Sequence, residues 1–192
     1  MTDQVKTGIS EDDLMRPERE NFEVVDGEWV EMSDEMMTLL HTFIIDNLFL
    51  IVVPHVRANK LGHVHTEGPK YILHVDENGI QTAYEPDLAF LRKGRIPEGF
   101  DLYRRPFPGA PDLAVEVVSH GQKTTDVLDK VADYLRYGTE EVWVIYPAKH
   151  ELHRYRAGEE APELFREDQT IQSESLFPGL TVKVADLFVV EG

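Results

Sequence analysis

The sequence contains no cysteine. That excludes a disulfide framework and any thiolate metal centre. A metal bound here would be held by carboxylate or peptide oxygen, imidazole or water, which favours magnesium or manganese over structural zinc. Positive charge is also scarce: 19 Lys and Arg stand against 36 Asp and Glu, a formal net charge of −17. This disfavours a broad nucleic-acid surface, because backbone binding rests on cations neutralising phosphates. Long apolar runs are missing as well. The longest, Phe43 to Pro54, is interrupted by Asp46 and Asn47, too short an apolar stretch to cross a bilayer. Residues 1–20 are polar and charged, without the apolar core of a signal peptide. The expectation is a cytoplasmic protein.

What is present is enough chain, 192 residues, for one sizeable domain with a single core. Residues 1–20 read as an N-terminal tail or a short first helix, and 21–192 as the domain. Phe22 to Met32 reads as a hairpin around Asp26-Gly27, a strong short-range turn signal. Ser33 and Asp34 offer an N-cap for a helix from Glu35 to about Val53, with Met36, Leu40, Ile44 and Leu48 at helical spacing and Pro54 at its end. Strands follow at 64–66, 71–75 and 81–91, then a long loop over 92–110 carrying Arg92, Lys93, Arg95, Arg104 and Arg105. That basic cluster is either a local phosphate contact or a solvated surface. Residues 113–119 read as a central strand and 126–137 as a helix capped by Thr124 or Thr125. Residues 141–146 read as a further buried strand, with a peripheral pair at 152–156 and 163–166 and a last strand at 181–184. The order predicts an α/β (α+β) fold, a mixed central sheet with a helix on either face.

One residue stands out against that background. Glu116 lies inside Leu113-Ala114-Val115-Glu116-Val117-Val118, a run apolar on both faces. An ionised acid there is costly unless a cation or strong hydrogen bonds compensate it. About thirty residues earlier, Asp87 heads a second core-like run, Leu88-Ala89-Phe90-Leu91. If the two strands are neighbours, Asp87 and Glu116 converge on one divalent ion, with the Val117 carbonyl as a third oxygen ligand. Asp126, Lys130 and Tyr134 fall four residues apart along one helix face, beside a stripe of Val127, Leu128, Val131, Ala132 and Leu135. Lys130 can reach back over the sheet and stabilise charge on a phosphate. Asp112 reads as a strand-start residue bonding nearby amides, and Tyr134 as packing with a hydroxyl anchor. Glu31 and His41 are accessory candidates. His63, His65 and His74 lack a helix-borne ligand pair and form a weak zinc signal.

In order, Pro86-Asp87, the Val115-Glu116-Val117-Val118-Ser119 run, Lys130 with Tyr134, and Glu141-Val142-Trp143-Val144-Ile145-Tyr146-Pro147 resemble a large bacterial family of restriction-endonuclease-like proteins, abundant in cyanobacteria. That family belongs to the PD-(D/E)XK nuclease superfamily. Val25-Asp26-Gly27-Glu28-Trp29-Val30-Glu31-Met32, His41 and Phe177-Pro178-Gly179-Leu180 extend the resemblance over about residues 20–189. It implies a restriction-endonuclease-like core, metal-dependent phosphodiester hydrolysis with Mg2+ or Mn2+, DNA as substrate, and pairing into a homodimer. The superfamily's usual lysine position, two residues after the glutamate, is Val118 here. Lys130 resembles the relocated lysine of this branch. Two further departures are Tyr84, where a basic residue is common, and His120-Gly121, where a proline is.

The leading expectation is therefore a metal-dependent endonuclease with Asp87 and Glu116 as metal ligands and Lys130 as the catalytic amine. A rival is a non-catalytic binding or regulatory module that keeps the fold, which the acidic composition supports. A third is hydrolysis of something smaller than DNA.

Overall fold

The structure, a computed structural model, describes residues 8–32, 38–66, 68–103, 106–119 and 121–190. Ser33, Asp34, Glu35 and Met36, expected to open the long helix, lie outside the described residues, as do Arg104, Arg105 and His120.

The chain opens with one turn of helix, α1 (Glu11–Leu14), held by a reciprocal Ser10–Asp13 capping box. The hairpin β1 (Phe22–Val25) and β2 (Glu28–Glu31) follows. Asp26 and Gly27 both take positive φ, 50° and 74°, the turn whose twist matches the flanking strands. Next come α2 (Leu39–Asn59), β3 (Gly62–Thr66), β4 (Tyr71–Asp76), β5 (Gly79–Tyr84), β6 (Leu88–Arg92), the short β7 (Phe107–Pro108) and β8 (Leu113–Val117). The rest is α3 (Thr124–Arg136), β9 (Glu141–Tyr146), β10 (Glu151–Arg156), β11 (Glu163–Arg166), β12 (Thr170–Gln172), β13 (Thr181–Lys183) and α4 (Val184–Leu187).

Three departures from expectation stand out. Helix α2 runs through Pro54 and ends at Lys60, which takes the left-handed conformation at φ 55°. Pro54 costs one backbone hydrogen bond, but it sits on the exposed side. Val52 and Val56 on the inner side are in the core and carry the helix across the break. As a result α2 is, by length and composition, apolar enough to cross a membrane, which corrects the expectation that no run is. Within this fold its buried residues, among them Ile44, Ile45 and Leu48, pack into a core cluster. The run 81–91 is two strands rather than one, broken around Pro86, whose ring removes a ladder donor. Helix α3 starts earlier than expected, and its N-cap is Lys123 with no side-chain cap bond, not a threonine.

The contacts group the chain into two compact units. The first takes 1–33, 68–85 and 98–110 and carries a sheet in the order β2-β1-β5-β4-β7. Leu14, Val24, Ile72, Ile80 and Ala83 form its core. Its buried Lys70 is satisfied by the Glu20 carbonyl at 2.8 Å and by Glu85 Oε2 at 3.2 Å.

The second unit takes 34–67, 86–97 and 111–192 and carries the six-stranded sheet β11-β10-β9-β8-β6-β3. Among the described residues its one parallel pair is β8 with β9; the others are antiparallel. Every residue of β8 is buried. Leu113, Val115 and Val117 join the cluster that holds α2, while Glu116, on the alternate face, meets α3. The two long helices thus cover opposite faces of a mixed sheet, the architecture expected from the element order.

Candidate active site

Both ends of β8 carry an acid, and the two are used differently. At the N-terminal end Asp112 accepts the Arg92 amide at 2.9 Å and the Arg95 guanidinium at 2.9 Å. Arg92 also pairs with Glu140. The two described arginines of the expected basic cluster are therefore engaged by acids. Asp112 acts as the strand-start residue that the sequence indicated.

At the C-terminal end the register Leu88↔Val115 and Ala89↔Ala114, extended by one residue, sets Asp87 opposite Glu116. Directly opposed residues of an antiparallel pair project to the same side, with Cα atoms about 4.5–5.5 Å apart. Asp87 stands just before β6, and its side chain takes over the end of the ladder: Oδ2 accepts the Val117 amide at 2.6 Å. The acid is thus tied to the peptide that follows Glu116. Its other oxygen, Oδ1, lies 3.4 Å from His41 Nε2, brought by the first turn of α2. The Thr38 hydroxyl caps that turn by accepting the His41 amide at 3.2 Å.

Glu116 is 7 % exposed. Its Oε1 accepts the Tyr134 hydroxyl at 3.0 Å, and Lys130 Nζ stands 3.8 Å from Oε2. Both partners come from α3. The buried stripe of that helix is narrower than expected: Val127, Val131 and Tyr134 are buried, whereas Leu128 and Ala132 are exposed. Lys130 lies at the margin of this stripe, where its stem is covered and its amine reaches the acid.

The third expected ligand is also fixed. Val118 donates its amide to the Ile145 carbonyl at 2.9 Å, across the parallel ladder. A trans peptide then turns the Val117 carbonyl away from β9, to the side where Asp87 lies. Two carboxylates and one peptide oxygen are a hard-ion donor set. Among the described residues no group of three or more His, Cys, Asp or Glu is placed to hold a metal ion by itself. A set of two carboxylates and one peptide oxygen suits magnesium or manganese, which keep water and phosphate among their ligands, better than zinc.

The structure therefore brings Asp87, Glu116, Val117, Lys130, Tyr134 and His41 into one unit and one neighbourhood. Glu31 belongs to the other unit and is exposed on β2. His63 and His65 lie on β3 in the second unit and His74 on β4 in the first. Sequence reasoning overlooked another buried acid, Glu141, 1 % exposed at the head of β9. Its Oε2 accepts the Trp143 indole at 2.8 Å and its Oε1 the Ser173 hydroxyl at 2.9 Å. The Trp143 contact was visible as an i, i+2 pair on one strand face. Ser173 was not.

No curated protein matches the chain. Among solved structures it is similar to a putative nuclease belonging to DUF820 from Anabaena variabilis, with 24% identity and a TM-score of 0.76, over 94% of this chain and 97% of that one. That likeness establishes the fold, a mixed α+β architecture shared with a nuclease-like protein. The Uma2 model, described as "Putative restriction endonuclease", matches residues 10–185. With that match spanning nearly its whole length, the chain belongs to the Uma2 family of putative restriction endonucleases.

Proposed function

We propose that the chain is a divalent-metal-dependent nuclease that hydrolyses phosphodiester bonds in DNA. The observation that carries this reading is the pairing at the end of β8, where Asp87 is bonded to the Val117 amide and stands opposite Glu116, with Lys130 at 3.8 Å from that acid. Asp87, Glu116 and the Val117 carbonyl would hold magnesium or manganese. The ion, when bound, supplies Lewis-acid charge against phosphate oxygens. Lys130 donates hydrogen bonds to the attacking water and opposes the charge that grows on the phosphate. Tyr134 orients the Glu116 carboxylate, and His41 orients that of Asp87.

The test joins manganese calorimetry to cleavage of a single- and a double-stranded DNA. Wild type is expected to bind manganese and to cut. Asp87→Ala loses both. Lys130→Met keeps the ion and loses cleavage by about 100- to 1,000-fold, the usual cost of one charge-stabilising donor. Manganese binding that survives Asp87→Ala rejects the ligand assignment. A wild type that binds no manganese favours the second reading, a binding or regulatory module on the same fold, which the net charge of −17 supports.

A further inference from the structure

Beside the acid pair lies a groove of about 390 Å³, lined in part by Leu40, His41, Val118, Ser119, Tyr146 and Pro147. Three segments build it: the start of α2, the loop leaving β8, and the turn leaving β9. It sits at the C-terminal ends of the parallel pair β8 and β9, where open α/β sheets tend to bind ligands. Its walls are mostly apolar. Ser119 adds a hydroxyl, and Lys149 a cation whose amine lies 5.5 Å from the centre of the Tyr146 ring. His41 belongs both to the groove and to the candidate site, since its Nε2 is 3.4 Å from Asp87 Oδ1.

We propose that this groove holds one unstacked nucleobase of the strand whose phosphate lies at Asp87 and Glu116, so that the substrate is single-stranded nucleic acid. This rests on the nuclease reading above and adds the substrate class to it. Two observations and one general cost carry it. The volume is at the small end of ligand pockets and takes a single nucleoside. A base inside a duplex is stacked and paired, and reaching such a groove costs a few kcal/mol of unstacking. The charge balance points the same way. Duplex binding draws on many phosphate contacts, yet the chain carries 36 acids against 19 bases, and Arg92 and Arg95 are engaged by Asp112 and Glu140. Burial of a base's apolar faces in the groove is driven by removing them from water and needs no net positive charge. Lys149 then meets an adjacent phosphate.

The experiment measures fluorescence anisotropy of the full chain with a labelled 12-nucleotide single strand, its duplex, and the same strand with central abasic positions. Calcium replaces manganese, so that oxygen ligands are filled with a weaker Lewis acid. The expected result is single-strand binding at least about 10-fold tighter than duplex binding, with about a 10-fold loss on removing the central bases. Ala148→Trp, which fills the groove from an exposed rim position, is expected to lower single-strand affinity about 10-fold at an unchanged unfolding midpoint. If that variant fails to fold, Lys149→Ala reads the phosphate contact, with a smaller loss and a shallower salt dependence. Equal or tighter duplex binding, or indifference to the missing bases, overturns the groove assignment. Manganese-dependent cleavage without single-strand preference sinks this inference alone. Base-dependent single-strand binding without any cleavage sinks the catalytic reading and leaves the groove standing.

Discussion

Glu116 and Glu141 are both buried glutamates, on adjacent parallel strands, each within an apolar run. Their surroundings separate them. Glu141 is met by two neutral donors, the Trp143 indole and the Ser173 hydroxyl, which close both of its oxygens inside the core. Glu116 meets one neutral donor, Tyr134, and a cation at 3.8 Å, and a second acid stands opposite it across the ladder. A buried acid satisfied by neutral donors ties strands and loops together. A buried acid beside another acid and an amine is arranged for a charge still to arrive. Burial alone does not tell them apart; the donors do.

Paired substitutions break or confirm this contrast. Glu141→Leu strands the Trp143 and Ser173 donors, and we expect a loss of about 2–4 kcal/mol from two unmet buried groups. Manganese affinity is expected to stay unchanged. Glu116→Gln keeps the size and an acceptor for Tyr134, so stability is expected to shift by less than about 1 kcal/mol. Manganese binding and cleavage are expected to disappear. Denaturant unfolding and calorimetry on both variants settle the matter. If Glu116→Gln is the variant that unfolds and Glu141→Leu the one that loses the ion, the roles are reversed.

A subtler substitution asks whether Tyr134 only packs. Tyr134→Phe removes one hydrogen bond to Glu116, about 0.5–1.5 kcal/mol of stability. If the hydroxyl also orients the ligand, manganese affinity falls by about 10-fold, within the range seen for such supporting groups. A stability loss with full metal affinity would make the hydroxyl an anchor alone.

The contrast also explains what could be read from the chain. Asp26-Gly27 announced its hairpin because only a few residue pairs accept two positive φ values in succession. Strands β8 and β9 were visible as continuous apolar runs, and the spacing of Lys130 and Tyr134 placed both on the helix face that reaches Glu116. Pro54 misled, because a proline's local cost was overridden by the packing of Val52 and Val56. The break before β6 was legible but missed, since Glu85-Pro86-Asp87 puts two acids and a proline between the strands. Glu141 escaped notice because its second partner, Ser173, is 32 residues away. The groove was invisible for the same reason, being assembled from three segments far apart in sequence. Local rules reach the main elements and the acids at the two ends of β8. Which acid is chemical depends on contacts that only the folded chain creates.

Strand β9 begins on Glu141 and ends on Tyr146, and that far end offers the smallest effect, one that separates the fold's response to pH from the site's. Burial raises the Tyr146 hydroxyl above its ordinary value of 10.0, and burial with the neighbouring Tyr146 pushes Tyr155 up to about 12. Both groups stay protonated in the folded chain at a pH where the unfolded chain has begun to lose the proton. Their contribution is fully present below pH 10 and is lost as pH rises from about 10 to about 12. The unfolding midpoint is therefore expected to hold steady from about pH 7 to 9 and to fall above about 10, and Tyr155→Phe is expected to flatten that fall. A decline left intact in Tyr155→Phe would assign it to other groups. A loss of cleavage below about pH 10 at a constant midpoint would then arise in the candidate site or its substrate rather than in unfolding.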